Sequence, residues 1–271
     1  MNDAPTLDLD AYLRRIGYGG ECVPTLEVLD DLHLAHATHI PFENLDIQLG
    51  RQIRLDLESI QSKLVRGRRG GYCYEQNSLF AAVLERIGFR VTTLAARVRK
   101  GASRVLPRTH MLLSVDVAGS PWLADVGFGT GGLLKPVAML PGRASRQFAW
   151  NFRLVEEPGL RVLQSLEGNV WQDLYAFTLE PQYPVDFEMA NHYVSTHPNS
   201  RFVQTLAVQR QTPSACYLLR NRELTVVTGD VIETTRIDDD ESLLRVLAET
   251  FDLEFPPGTR FRCLETEKQE I

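Results

Sequence analysis

The order of elements along this 271-residue chain predicts an α+β fold. Apolar residues recur at helical spacing through roughly the first ninety positions. From about 89 to 180 they form β-branched or alternating stretches separated by turn residues. Beyond the Leu-Glu-Pro-Gln-Tyr-Pro break at 179–184 the pattern is mixed. Parallel βα alternation is missing, which argues against a doubly wound sheet. These changes divide the chain into 1–88, 89–184 and 185–271.

The first helix places Leu9, Tyr12, Leu13 and Ile16 on one face and stops at Gly17. Thr25 caps a second, with Leu29, Leu32 and His36 on one face, and it ends before Pro41 because proline disfavours helix in the residue ahead of it. A third runs from about Asp56 to Val65, with Leu57, Ile60 and Leu64 inward. A fourth begins near Cys73, repeats at Asn77, Phe80, Ala81, Leu84 and Ile87, and stops at Gly88. Strands are expected at 89–98, 110–117, 121–126, 148–156, 161–167 and 170–177, mostly antiparallel. After the break come a helical segment near 186–195 and strands near 206–210, 215–220, 223–228 and 231–236. A last helix spans about 239–251, where Asp238 and Glu241 have capping-box spacing.

Composition narrows the function classes. With 44% hydrophobic and 24% charged residues the chain is neither disordered, collagen-like nor a disulfide-dense miniprotein. A net charge of −6 argues against a whole-surface nucleic-acid binder, while a local basic patch stays open. Cys22, Cys73, Cys216 and Cys263 form no CxxC pair. The acidic start has no apolar core of a signal peptide, and no apolar run reaches the ~18 residues of a membrane span. A soluble, reducing, cytoplasmic setting is expected, in which a free thiol persists.

The segment richest in chemistry is Arg-Gly-Gly-Tyr-Cys-Tyr-Glu-Gln-Asn, residues 69–77. Gly70 and Gly71 allow a turn that a Cβ would hinder, and Cys73 follows at a helix start. Partial positive charge there favours a thiolate, as a nucleophile requires. A small buried thiol that happens to begin a helix is the alternative. A nucleophile needs a base and an orienting group. His33, His36 and His39 span about 120° of helix, too wide for one metal ion, and read as core and surface. His110 enters the strand Met-Leu-Leu-Ser-Val, and Asp125 ends the run after it. Two strands joined by a turn at Gly119-Ser120-Pro121 bring them together, so that the carboxylate steadies the imidazole. Alone, Asp125 reads as a turn residue before Gly127. Together, Cys73, His110 and Asp125 read as a catalytic triad.

Gly127-Phe-Gly-Thr-Gly-Gly132 matches G-x-G-x-x-G, yet Pro136 and Pro141 interrupt the helix a dinucleotide site needs, and no acidic residue follows before Glu156. A cleft wall carrying Phe128 fits better. Arg90, Arg97, Arg99, Lys100, Arg104 and Arg108 form a basic stretch with no acid inside it. It is either a solvated hairpin or an anion-attracting rim leading to His110.

Arg69–Asn77 resembles the active-site signature of the arylamine N-acetyltransferases, and Ile40-Pro-Phe-Glu-Asn-Leu45 resembles that family's second hallmark. Thr109-His110-Met111, Asp125-Val-Gly-Phe-Gly129 and His197-Pro-Asn-Ser-Arg-Phe202 match further family stretches. The resemblance implies a helical bundle (1–88), a β-barrel (89–184) and an α/β lid (185–271), with a cysteine-protease-like core. It implies acetyl-CoA as co-substrate, no permanently bound cofactor or metal, and arylamine, arylhydrazine or arylhydroxylamine acceptors. Catalysis would be ping-pong through acetyl-Cys73. Phe42, Val98 and Phe128 match positions that line the family's acceptor pocket, and Gly129 is placed with them; apart from the resemblance, the rim reading of the basic stretch puts Arg97, Arg99 and Lys100, with Thr109, toward the donor. Glu43 and Arg69 would be a structural pair. No nucleic-acid or membrane partner is implied. A thiol hydrolase of transglutaminase type and a catalytically idle interaction module are the competing readings.

Overall fold

The computed structural model describes residues 6–129 and 131–266. The first five residues of the acidic start, and Thr130 of the glycine run, lie outside the described residues. Helix α1 (Leu9–Arg15) is capped by Asp8, which accepts from the Ala11 N–H. Helix α2 (Leu26–His39) is capped by Thr25, and Ile40 is already extended ahead of Pro41. Next come β1 (Phe42–Glu43) and α3 (Leu45–Gln48), which periodicity could not predict because neither is long enough to show a period. The helix expected over 56–65 divides into α4 (Leu57–Ile60) and a π-helical turn, Gln61–Arg66. Helix α5 (Cys73–Ile87) ends at Gly88 in the left-handed conformation.

Eight antiparallel strands follow: β2 (Arg90–Val98), β3 (Arg108–Val117), β4 (Ser120–Ala124), β5 (Val137–Ala138), β6 (Ala144–Gln147), β7 (Trp150–Glu157), β8 (Leu160–Glu167) and β9 (Val170–Phe177). Their order is β5-β4-β3-β2-β9-β8-β7-β6, and the sheet curls into a nearly closed barrel. The β3–β4 turn is Ala118-Gly119, earlier than expected. Both residues have positive φ, 51° and 82°, as a two-residue hairpin turn matched to strand twist demands.

The last third holds α6 (Pro184–Thr196), α7 (Arg201–Gln204), β10 (Ala207–Gln211), β11 (Cys216–Arg220), β12 (Glu223–Thr228), β13 (Val231–Arg236), α8 (Asp240–Phe251) and α9 (Arg262–Thr266). The cap of α8 is Asp239, one residue later than expected: it accepts from the Ser242 N–H at 2.7 Å. Three consecutive aspartates made the register ambiguous. Strand β1 joins β10–β13 as an edge, so a second antiparallel sheet is completed by a segment from the helical third.

Strand β3 explains its own composition. Met111, Leu113, Val115 and Val117 face the helices with Leu29, Phe80 and Leu84, while Leu112 faces the barrel interior. Burial on both faces removes the polar half of the alternation. A third cluster joins Leu206, Val208 and Leu219 to Leu243, Leu247 and Phe251 of α8. Phe187 and Val194 of α6 pack instead into the helical cluster. No helix among the described residues is long and apolar enough to cross a membrane.

Candidate active site

Cys73 is the first residue of α5 because Glu75 folds back on the turn before it. Glu75 Oε2 accepts the Tyr72 N–H at 3.1 Å, and Lys63 Nζ holds Oε1 at 2.8 Å. Gly70 is required by crowding, since a Cβ there would lie 2.1 Å from the Pro41 carbonyl oxygen. The arrangement buries Cys73 to 3% exposure, its Sγ 3.8 Å from the Thr109 carbonyl oxygen.

His110 arrives on β3 beside a bulge. Ala96 pairs with His110 and Arg97 with Arg108, leaving Thr109 as the extra residue. Bulges of this kind re-aim neighbouring side chains. His110 Nε2 meets Asp125 Oδ2 at 2.7 Å, with both groups buried. Asp125 lies just past β4, and the strand stops there because the next amides turn elsewhere. The Asp125 N–H donates to His33 Nε2, and the Val126 N–H to Asn77 Oδ1. Asn77, one turn after Cys73, donates through Nδ2 to Asp125 Oδ1 at 2.9 Å and to the Met111 carbonyl at 2.8 Å. Gly127 closes the arrangement: a Cβ there would sit 2.7 Å from the Cys73 Cα.

The electrostatics follow from burial and partners. Burial would push His110 down, but the Asp125 carboxylate, its hydrogen bond and the adjoining Cys73 carry it up to about 10. Burial would raise Asp125. The His110 charge and the bonds from His110, Asn77 and Gly127 outweigh it, leaving the carboxyl below its ordinary value. The pair is therefore imidazolium and carboxylate at neutral pH. With Nε2 on Asp125, the other ring nitrogen, Nδ1, is left for Cys73.

Two histidines behind the site stay neutral. Burial pushes His33 down to about 4 and His36 to about 3. Gln76 Nε2 donates to the carbonyls of Ile40, Pro41 and Gly71, so its Oε1 accepts from His36 Nε2 at 2.7 Å. His36 Nδ1 then accepts from the Tyr12 hydroxyl at 2.9 Å. This chain ties α1, α2 and α5 to the loops around Phe42 and Gly71. Among the described residues, no group of three His, Cys, Asp or Glu side chains could hold a metal.

An aromatic wall stands over the imidazole. Ring centroids of Phe128 and Tyr175 lie 5.1 and 4.8 Å from His110 and 5.0 Å from each other. Tyr175 was not foreseen, because a tyrosine in an alternating strand carries no local signal. It pairs with Val98 across β2–β9, beside a second bulge at Leu174. Phe42 is partly buried against Phe202 at 5.8 Å, with Gly129 against its ring.

Much of the basic stretch is paired with carboxylates. Arg99 makes a two-pronged pair with Glu157 at 2.6 and 2.7 Å and reaches Asp173 at 3.1 Å, while Lys100 meets Glu167 at 2.6 Å. Arg97 donates to the Leu106 carbonyl. The balancing acids come from other strands, which a linear charge count could not show. Glu43 and Arg69, 2.7 Å apart, belong to a larger buried cluster. Asp46 lies 3.3 Å from Arg69, and Lys63 lies 3.0 Å from Asp46 and 2.8 Å from Glu75. A groove of about 1290 Å³, lined by Arg51, Arg54, Glu188 and Arg262 among others, contains none of Cys73, His110 or Asp125.

The N-acetyltransferase family profile matches residues 25–259. The arylamine N-acetyltransferase / N-hydroxyarylamine O-acetyltransferase of Salmonella typhimurium is 40% identical over 248 residues, 90% of this chain and 88% of the relative. The crystal structure of Nocardia farcinica arylamine N-acetyltransferase superposes with a TM-score of 0.88 at 44% identity, covering 94% of this chain and 92% of that one. The Mycobacterium marinum arylamine N-acetyltransferase in complex with CoA gives 0.87 at 36% identity, covering 90% and 92%. The chain belongs to the arylamine N-acetyltransferase family.

Proposed function

We propose that the protein transfers acetyl groups from acetyl-CoA to arylamines, arylhydrazines and arylhydroxylamines by a ping-pong mechanism through acetyl-Cys73. The reading rests on one observation above all: a buried thiol at the start of α5 faces an imidazole whose far nitrogen is held by a carboxylate at 2.7 Å. The CoA bound by the Mycobacterium marinum relative supports the donor, and the name of the Salmonella relative supports the acceptors.

In the first half-reaction His110 holds the Cys73 proton and the sulfur attacks the acetyl carbonyl. The bond from carbonyl carbon to the CoA sulfur breaks, and CoA leaves with the proton from His110. In this reading the Cys73 N–H, at the first turn of α5, would donate to the developing oxyanion. Exchanging one thioester for another keeps the acyl group activated. In the second half-reaction the acceptor nitrogen attacks acetyl-Cys73, His110 takes its proton, and the sulfur leaves as the amide forms. Arylamines are weak bases and enter the Phe128–Tyr175 wall uncharged, avoiding the cost of burying an ammonium. In this reading 1–88 carries the nucleophile, 89–184 carries His110 and Asp125, and 185–271 is the lid, with α6 docked on the helical part.

Intact-mass spectrometry after mixing with acetyl-CoA tests the proposal. One acetyl adduct, absent from Cys73→Ala and discharged by an arylamine, is expected. No adduct, or discharge by water at the same rate as by amine, overturns it and favours a hydrolase.

A further inference from the structure

Strand β10 buries polar atoms that the chain does not satisfy. Gln209 and Gln211 are each 5% exposed, yet Gln209 Oε1 and both Oε1 and Nε2 of Gln211 have no hydrogen-bond partner. A buried amide stripped of water and left unpaired is costly, so such atoms point to a partner from outside the chain.

Register shows where these side chains stand. Gln209 lies directly opposite Phe42 across β1–β10, and Gln211 opposite Cys216 across β10–β11, so all four share one face of the lid sheet. That face turns toward Gly129 and Gly131. Gly129 lies against the Phe42 ring, and the Gly131 N–H and Lys100 lie by the buried Cys216 thiol. Phe42 in turn bridges to Gly71, two residues before Cys73. Read outward from the nucleophile, the face runs from Gly71 through Phe42 and Gln209 to Gln211. The two glutamines are about 6.7 Å apart along the strand.

We infer that Gln209 and Gln211 form an amide-reading track for the pantetheine arm of the acyl-CoA donor, Gln209 meeting the amide nearer the sulfur and Gln211 the one farther out. The inference rests on the acetyl-transfer reading above. The donor's arm fits that track chemically, because it carries two secondary amides in line behind its thioester. Each amide offers one N–H and one carbonyl, which a glutamine side chain can answer at both ends. Phosphates are not what a pair of uncharged carboxamides selects, and adenine, which a carboxamide can read, lies at the far end of the donor from the thioester.

The test compares donors with and without the arm. Gln209→Met and Gln211→Met keep side-chain length and remove the amide. For each, kcat/KM with acetyl-CoA should fall about tenfold relative to kcat/KM with p-nitrophenyl acetate, which acylates a thiol without pantetheine. With S-acetyl-N-acetylcysteamine, which retains only the inner amide, the penalty of Gln209→Met should persist and exceed that of Gln211→Met. An unaltered donor ratio means that water completes these amides and overturns the inference. A raised arylamine KM with p-nitrophenyl acetate as donor assigns them to the acceptor and overturns it equally. Side-chain amide resonances of Gln209 and Gln211 in the wild-type protein should shift on adding CoA, a readout that needs no variant; unmoved resonances count against the track. If neither donor acetylates wild-type Cys73, the acetyl-transfer reading itself has failed, an outcome distinct from equal donor effects.

Discussion

Two buried polar regions of this protein are built on opposite terms. Behind Cys73 the side chains close on one another: Asn77 on Asp125, Asp125 on His110, His36 on Tyr12 and Gln76. On one face of β10, Gln209 and Gln211 are also buried, and Gln209 Oε1 and both amide atoms of Gln211 are left without a partner. The first region holds a reactive geometry before any substrate arrives, and although His33 Nδ1 and the Tyr175 hydroxyl have no partner there, the linked bonds among its other side chains give that geometry its rigidity. The second is finished only by something that comes and goes. On the proposed function, preorganisation around Cys73 and incompleteness along β10 are different solutions to catalysis and to reversible binding.

The largest expected effect breaks the closed region at its centre. Asp125→Asn keeps the shape but removes the charge that holds His110 protonated near Cys73. Acylation of Cys73 by acetyl-CoA should slow by about 10³- to 10⁴-fold, measured by rapid-quench mass spectrometry. A loss of only a few fold would show that the carboxylate orients the ring without setting its charge.

Next is the scaffold. His36→Leu strands the Tyr12 hydroxyl and one Gln76 oxygen in a fully buried site, and should lower unfolding stability by roughly 2–4 kcal/mol in urea titration. Tyr12→Phe, which removes only the donor to His36 Nδ1, should cost less. Equal effects would mean that the network's terminus matters as much as its middle.

How much of this was legible beforehand depended on range. Cys73 at a helix start and the His110–Asp125 proximity follow from local rules, a glycine turn and a hairpin. Even there, the turn fell at Ala118-Gly119, because consecutive small and polar residues offered several places for it. The fold class followed from the order of periods, and the structural relatives agree with it. What stayed hidden was made by pairing across the chain. Tyr175 reaches His110 only because β9 lies beside β2, and β1 exists only because β10 comes back to it. Gln209 and Gln211 look like ordinary surface residues until that same pairing buries them. The carboxylates on Arg99 and Lys100 likewise come from β7, β8 and β9.

Acidity separates the two halves of the closed region. The lowered pKa of His33 and His36 means that the unfolded chain binds protons that the folded one refuses. Their contribution is complete above the ordinary value of 6.5 and is lost as pH falls toward about 4 for His33 and about 3 for His36. Thermal stability should fall by about 2 kcal/mol per histidine by pH 5, seen in melts across pH 7 to 5. His110 has the opposite sign. Its raised pKa stabilises the fold below 6.5 and loses that effect as pH climbs through about 10. Cys73 acylation should accordingly hold level through neutral pH and decline above about 10.

The smallest effect concerns the basic stretch. Were Arg99 and Lys100 a free anion-attracting rim, removing their charges would weaken acetyl-CoA binding strongly at low salt. Each is already paired with carboxylates in partly exposed sites, so little field is left over for a distant phosphate. Arg99→Ala and Lys100→Ala should shift the acetyl-CoA KM by less than about twofold, at low and at high salt alike. A strongly salt-dependent loss would show that the donor's phosphates displace Glu157, Asp173 or Glu167 on binding. The barrel strands would then be completed by ligand, as we propose for β10, and the contrast would narrow to the closed network around Cys73 and everything that faces the donor.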